Sequence, residues 1–442
     1  MTTELLQRAF EAYDQKNFAG SQALCETFLS SNGDDPSALM LAGLIAKQQL
    51  RLEQAIQLLE RSVRIAPTAN ALMNLAQCLW RSDRPEQGLP FIRQVTSTCP
   101  LIAEAHLLEA TLLYGLRRLD ESLRSAQLAQ TYLPDSPLVE ARLGCIMTEM
   151  RRYDDAEVHF WNAAHFMPQL AHCRQISFRH GLWHEIDGHR TAAPAANLPA
   201  LCEARMSSPY DTVIAVFCEA ASFYDCGAAF VNALAQNAGS SLLHFHIIDP
   251  DEKSAAFIDE VIAVAGLKNA VVTFEHVQFD DGGDFNRRRV LNACVRFLHL
   301  PSLLTTYERA IACVGIDFVF DMPLDSLVGS TSHADIGLVQ REPPDSPWLD
   351  ISAGLVVAQP SEPALRYFRA IAQYIRHYWS RGDLAAHLDQ TALYCVLRMM
   401  ERFAGAPRVS WLRPQTGAAV RRTQGATPDP VQAPSTVAER QT

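Results

Sequence analysis

The sequence predicts a protein in two parts, an α-solenoid of paired helices over residues 1–170 and a mainly parallel α/β sandwich over residues 210–412. Three observations lead there. Small residues recur every 33 or 34 positions through the first part, with prolines nearly in step. Beyond Pro209 that period gives way to short apolar runs rich in β-branched residues, alternating with helix-like stretches. Finally, 442 residues of which 48% are apolar suffice for two or three separate cores rather than one.

In the first part, Ala9, Gly43, Ala76, Ala110 and Gly144 form one register, and Ser21, Ala55, Gly88, Ser122 and Ala156 form a second. Where two antiparallel helices cross closely, each can supply only a small side chain, so two small-residue registers per unit predict one helix pair per unit. Larger residues such as Leu52, Leu119 and Tyr153 are expected to fill the surrounding groove. Prolines at 36, 67, 100, 134 and 168 are expected to close the second helix of each unit, because proline cannot donate the next backbone bond. These units, about five in number, resemble tetratricopeptide repeats over residues 3–168. The resemblance implies a superhelix whose concave surface binds an extended peptide or a protein helix.

Charge and cysteine usage narrow the partners. The formal net charge is -11 and the basic residues are dispersed, so no basic stripe for nucleic acid is present. Eleven cysteines stand singly without a CxxC pair, which fits buried thiols in a reducing compartment rather than a disulfide framework or zinc knuckle. The N-terminal MTTELLQRAF lacks the pattern of a signal peptide, and no apolar run has the length of a membrane span. A cytoplasmic location without a membrane span is expected.

Residues 171–209 read as an interdomain linker in which the helical period fades. Its HGLWHEIDGHR stretch places His180, His184 and Glu185 at helical spacing for metal ligands, but Gly181 and Gly188 argue against a stable helix, and packing at the joint is the expected role.

The second part begins with Thr212–Phe217 and Leu242–Ile248, which read as buried strands flanking a helix-like stretch over Cys226–Gln236. Ala270–Glu275, Ala310–Val314 and Ile336–Val339 continue the series, so a mainly parallel sheet covered by helices follows, with ligands expected at the carboxyl ends of its strands. Neither GxGxxG after the first strand nor GxxxxGK[ST] is present. Any phosphate must therefore be held another way. Residues 413–442 contain no Leu, Ile, Phe, Tyr, Trp or Met and are expected to form a disordered tail.

The stretch Asn292–Leu327 runs from an amphipathic helix carrying Arg296 through a leucine-proline turn and a short apolar strand to an acidic turn. It resembles the central segment of GT-A-fold glycosyltransferases of the glycogenin and lipopolysaccharide galactosyltransferase type, and the resemblance extends over most of residues 210–412. In that family an Asp-x-Asp tripeptide holds a divalent metal against the sugar diphosphate; here the tripeptide is Gly315-Ile316-Asp317, with one carboxylate missing. The loop CEAASFYD resembles the family's base-recognition segment, which implies Tyr224 stacking on a pyrimidine and Glu219 or Ser222 bonding to it. ISAGLVVAQP resembles the Asn-x-Gly segment, with Ser352 in place of the asparagine ahead of Gly354. HLDQTALYCVL resembles the Asp-Gln helix, so Asp389 and Gln390 would face the anomeric carbon. The family's late His-x-x-Gly metal ligand has no counterpart here.

The resemblance thus implies a hexosyltransferase using a nucleotide-diphosphate sugar, with Mn2+ or Mg2+ bound weakly by Asp317 unless Asp321 assists. Otherwise Arg296, or one of Arg287, Arg288 and Arg289, would neutralise the leaving group. The acceptor would be a protein or saccharide presented by the repeats. The alternative is a non-catalytic adaptor in which a decayed transferase domain accompanies a protein-binding array.

Overall fold

The computed structural model describes residues 2–188, 201–206, 209–237, 239–277, 285–316, 318–319, 324–340, 346–412 and 421–422. The chain divides into two compact units, Met1–Phe166 and Met167–Thr442.

The first unit is a helical repeat array of five helix pairs. They are α1 (Thr2–Asp14) with α2 (Phe18–Asn32), α3 (Pro36–Gln48) with α4 (Leu52–Ile65), α5 (Ala69–Arg81) with α6 (Pro85–Thr98), α7 (Ala103–Gly115) with α8 (Leu119–Tyr132), and α9 (Pro137–Glu149) with α10 (Tyr153–Phe166). The two small-residue registers meet within each pair. Ser21 Oγ donates to Ala9 O at 2.8 Å, and Ser122 Oγ to Ala110 O at 2.7 Å. A Cβ on Gly144 would lie 2.6 Å from the Phe160 ring, and one on Gly88 would lie 3.1 Å from the Ala76 carbonyl oxygen. Close crossing therefore excludes a side chain at these positions.

Pro67, Pro100 and Pro134 fall between one pair and the next, as expected, and Pro168 follows the last pair. Pro36 instead opens α3, where its missing N–H is no loss and Asp35 caps the Ala38 N–H at 2.9 Å. Within each pair the turn carries a residue in the left-handed region, Lys16, Leu50, Asp83, Arg117 or Arg151, with φ between 58° and 62°. The following N–H returns to a carbonyl five residues back, as from Arg51 to Ala46 at 2.9 Å and from Arg152 to Met147 at 2.8 Å. This satisfies carbonyls that the ending helix leaves unpaired.

The second unit opens with a 3-10 helix (Pro168–Gln175) and α11 (His180–Gly188). A helix does form across Gly181, contrary to the expectation from its glycines, because Leu182, Trp183 and Ile186 bury one face while Asp187 pairs with Arg366 at 3.1 Å. Residues 168–188 accordingly pack as part of this unit rather than hanging as linker, residues 201–206 of the same span form a strand of its sheet, and 189–200 and 207–208 lie outside the described residues. His180 packs edge-on against Phe403, and Glu185 bonds His377 at 2.8 Å.

The strands and helices that follow are β1 (Leu201–Met206), β2 (Thr212–Glu219), α12 (Ala220–Asn237), β3 (Leu242–Ile248), α13 (Ser254–Val264), β4 (Asn269–Glu275), α14 (Phe285–Tyr307), β5 (Ala310–Val314), β6 (Phe318–Val319) and α15 (Leu324–Ser330). Next come β7 (Ile336–Gln340), β8 (Ile351–Ala358), α16 (Glu362–Trp379), α17 (Leu388–Phe403), β9 (Val409–Leu412) and β10 (Arg421–Arg422). All five strands read from the sequence are present. The eight-stranded sheet runs β1-β4-β3-β2-β5-β8-β7-β9, with β4, β3, β2 and β5 parallel, β8 antiparallel to both its neighbours and β1 antiparallel at the edge.

Strands β2 and β3 are buried on both faces, as parallel strands covered by helices must be. One face, with Ile214, Val216, Leu243, Phe245 and Ile247, packs on Phe223, Phe230 and Val231 of α12 and on Ile258 and Ile262 of α13 in a continuous apolar core. Helices α14, α16 and α17 pack together beside the sheet, α14 against β2 and β5 and α17 against β8.

Three readings need correcting. The segment after β2 is not a loop: α12 starts at Ala220, since no glycine or proline interrupts the chain there and Phe223 supplies a buried anchor. Pro301 does not make a turn but lies inside α14, which continues through it with Leu300 and Leu303 buried on either side. In the segment expected as a tail, Arg421–Arg422 pair with Phe318–Val319, a main-chain contact that needs no apolar side chain; the rest of 413–442 lies outside the described residues.

Candidate functional site at the carboxyl edge of the sheet

Strand order reverses between β2 and β5. From β2 the chain proceeds outward through β3 and β4, then crosses by α14 to place β5 on the other side of β2. Open α/β sheets leave a crevice at the carboxyl ends of the strands flanking such a reversal. Here those ends carry Glu219 and Gly315.

Four segments are tied together at this edge. The Glu219 carboxylate accepts a hydrogen bond from Asn292 Nδ2 of α14. One turn further along α14, Arg296 Nη1 donates to Ala353 O at 3.0 Å, and its Nε donates to Ala293 O at 2.9 Å. The reason lies in β8, whose register against β7 jumps from Val356 opposite Leu338 to Ser352 opposite Val339. Residues in that irregularity lose their ladder partners. Arg296 takes the Ala353 carbonyl, and Gly315 N–H takes the Gly354 carbonyl at 2.9 Å. Ser352 Oγ accepts from Gly354 N at 3.3 Å.

Asp389 and Gln390 begin α17, which packs against α14 and β8. Asp389 is buried, accepts from Gln390 N–H at 2.9 Å, and helps raise the thiol of Cys294, whose main perturbation is burial. Gln390 Nε2 lies 3.2 Å from His387 Nδ1, while its Oε1 is buried with no hydrogen-bond partner among the described residues. Asn292 Oδ1 is in the same condition. Glu219, Arg296, Ser352, Gly354 and Gly315 are thus joined through hydrogen bonds and strand pairing, with Asp389 facing α14.

Ser222 and Tyr224 lie in the first turns of α12, in the layer shared with α13 rather than with α14. Tyr224 packs its ring on Phe257 at 5.0 Å and donates its hydroxyl to Asp251 Oδ1 at 2.5 Å, a bond that raises the phenol's pKa and lowers that of the carboxyl. Tyr224 as a whole keeps 37% of its surface exposed. Asp317 and Asp321 lie outside the described residues. Of the three arginines that open α14, Arg288 pairs with Asp249 at 2.7 Å and Arg287 donates to Gly382 O at 2.6 Å. An open depression of about 350 Å3 lies at the opposite end of the sheet, lined by Asp211, Thr212, Ser240 and Ala310, and so belongs to the amino ends of the strands.

No family profile matches this chain, and no curated protein matches it. Among solved structures it is similar to YrrB, a tetratricopeptide-repeat protein with an unusual peptide-binding site, at 16% identity over 37% of this chain and 85% of that one, with a TM-score of 0.34. It is also similar to MamA in its AMB-1 form, at 18% identity over 38% of this chain and 98% of that one, again with a TM-score of 0.34. These matches fall on the helical repeats. No described helix is long and apolar enough to cross a membrane.

Several residues at this edge escaped the sequence reading. Asp249 and Asp251 follow β3, and Asp249 accepts from Val277 N–H at 3.1 Å. The available signal was the run IIDPD directly after a buried strand. Asn292 carries no local signal, because only the crossing of α14 over β2 brings it to Glu219.

Proposed function

We propose that the second unit is a nucleotide-sugar-dependent glycosyltransferase, and that the repeat array holds its protein or saccharide acceptor. The observation that carries this reading is the reversal of strand order between β2 and β5, with Glu219 and Gly315 on neighbouring strand ends and the Ser352–Gly354 segment bonded to both Gly315 and Arg296. In this reading Asp317 would be the residue to hold Mn2+ or Mg2+, which would offset negative charge on the diphosphate, and the N–H groups of Arg296 that Ala293 and Ala353 leave over would serve the leaving group. Asp389 and Gln390 serve the anomeric carbon, where oxocarbenium-like charge dominates the barrier. Glu219, Ser222 and Tyr224 serve the base. The repeats suggest protein–protein interaction, and tethering a polypeptide acceptor raises its effective concentration. A cytoplasmic location fits the ten described cysteines, all free.

The test is a panel of nucleotide-diphosphate sugars assayed by thermal shift on the full chain, with and without manganese. One donor should stabilise the protein, and Asp317→Ala and Asp389→Ala should remove, respectively, the manganese-dependent part of that shift and donor hydrolysis. No stabilisation by any donor would sink the reading.

A second reading, a non-catalytic adaptor, is favoured by one observation: two of the charged groups at the edge already bond within the chain, Glu219 to Asn292 and Arg296 to two carbonyls. It predicts an inert donor panel together with peptide capture by the repeat array of the intact protein.

A further inference from the structure

Alternation along β3 sends His244 and His246 to the same face, opposite to that of Leu243, Phe245 and Ile247, and pairing with β4 aligns His246 with Thr273 and Ile248 with Glu275. This face therefore carries a row of polar groups beneath α14. Tyr307 hydroxyl lies 2.7 Å from His244 Nδ1, and Thr273 Oγ1 lies 2.9 Å from His244 Nε2 and 2.8 Å from His246 Nδ1. At the far end, Glu275 Oε2 meets His246 Nε2 at 3.1 Å and His299 Nε2 at 2.7 Å.

The three ligand atoms offered by His246, Glu275 and His299 all lie within 4.8 Å of one another. Both histidine side chains are at least 98% buried, whereas the Glu275 side chain keeps 26% of its surface, which leaves a path for an ion. His299 turns its Nε2 to this cluster, while its buried Nδ1, on the other side of the ring, has no hydrogen-bond partner among the described residues.

We propose that His246, Glu275 and His299 form a binding site for a divalent first-row transition-metal ion of the zinc class, with two imidazole nitrogens, one carboxylate oxygen and a further position open towards Glu275's exposed side. Three protein ligands of this composition are the donor set of open zinc sites, and imidazole donors favour such ions over magnesium or calcium. Thr273 is placed to supply the supporting contact: when its Oγ1 accepts from His246 Nδ1–H, the Nε2 lone pair points at the ligand cluster. In that tautomer the lone pair would otherwise confront a carboxylate oxygen at 3.1 Å, a contact that a cation between them resolves. The ligands come from β3, β4 and α14, so an ion would also join the far strand of the parallel set to the crossing helix. The site is independent of the donor-binding reading, which uses a hard cation at a different strand.

The experiment is titration of the chelator-stripped full chain with Zn2+ by calorimetry and with Co2+ by visible absorption. One equivalent should bind, with cobalt d–d bands and no thiolate charge transfer. Glu275→Gln and His299→Gln should each abolish or severely weaken it, and Thr273→Val should weaken it about 10–100-fold, the usual effect of losing an outer contact to a ligating histidine. Absence of stoichiometric binding, or unchanged affinity in Glu275→Gln and His299→Gln, overturns the proposal. Should a variant fail to fold, the cobalt spectrum of the unaltered chain decides: nitrogen and oxygen donors support the site, and thiolate bands refute it.

Discussion

The two units solve the burial problem in opposite ways. In the repeat array every tight crossing lies within a helix pair or between adjacent pairs, so Gly144 meets Phe160 and Ser122 meets Ala110 a few turns away in sequence. In the α/β unit the decisive contacts are distant: β2 lies between strands that precede and follow a crossing helix, and Gln175 donates to Asp383 O at 2.5 Å. Stability in the array is a sum of neighbouring terms, whereas the sheet stands or falls as one core. Damage should therefore spread differently in the two.

The largest effect comes from emptying one aromatic site in each. Phe160 and Phe245 are both fully buried, and truncation to alanine should cost about 3–5 kcal/mol in either case. For Phe160→Ala, hydrogen exchange should rise in α9 and α10 while α3 to α6 keep their protection. For Phe245→Ala, β2, β3, β4 and β5 should lose protection together. Uniform deprotection of the whole array by Phe160→Ala would break the comparison.

Acid should sharpen it next. In the second unit His172 is buried against Trp348 and His387, and burial, with a smaller contribution from His387, pushes it down to about 4 from an ordinary 6.5. The folded form thus binds fewer protons than the unfolded chain between these values, and stability must fall as pH drops from 6.5 towards 4. At about 1.4 kcal/mol per unit the loss approaches roughly 3 kcal/mol. His244, pushed to about 3 by burial, adds in the same sense. In the array Glu140 behaves oppositely: burial would raise its pKa, but hydrogen bonds from His159, Asn162 and Gln130 outweigh it and lower the value. Its contribution is present above the ordinary 4.5 and is lost only below it. Peptide-resolved exchange at pH 5 should therefore find the second unit weakened and the array intact, and His172→Gln should shrink the difference. Equal weakening of both units would contradict the assignment.

How much of this was legible follows from where each contact lives. The small-residue registers were readable because the exclusion at Gly43, Gly88 and Gly144 is steric and repeats with the helix pair. The strands were readable because β2 is apolar on both faces and β3 is a largely apolar run buried on both, and only a covered parallel sheet tolerates that. Element ends were harder: Ala220 and Pro301 lie within helices that tertiary packing extends beyond their local signals. At the candidate site, Glu219, Arg296 and Gly354 were reached through resemblance, but the actual tie between Arg296 and the Ala353 carbonyl depends on a strand irregularity with no local signature. The group of His246, Glu275 and His299 was passed over because its members come from three elements, although His-Phe-His in a strand was the available hint.

The smallest effect concerns the turns of the array, whose signal was absent because none of the five left-handed residues is glycine. Leu50 adopts φ 60° and is 63% exposed, so it gives up little apolar contact if replaced. The left-handed conformation costs a side-chain-bearing residue about 1–2 kcal/mol, while glycine gives back roughly 0.5–1 kcal/mol in unfolded-chain entropy. Leu50→Gly should therefore stabilise the array by about 0.5–1 kcal/mol, with Leu50→Ala close to neutral. Asp83, at φ 62°, is of a residue type that tolerates this region, so Asp83→Gly should gain less. Because repeat stabilities add through neighbours, each gain should appear as slowed exchange in the pair that contains the turn, α3 and α4 for Leu50, with the α/β unit unmoved. A destabilising Leu50→Gly would mean that the turn is held by the leucine side chain rather than by the backbone bond from Arg51 to Ala46, and the steric account of these five turns would have to be abandoned.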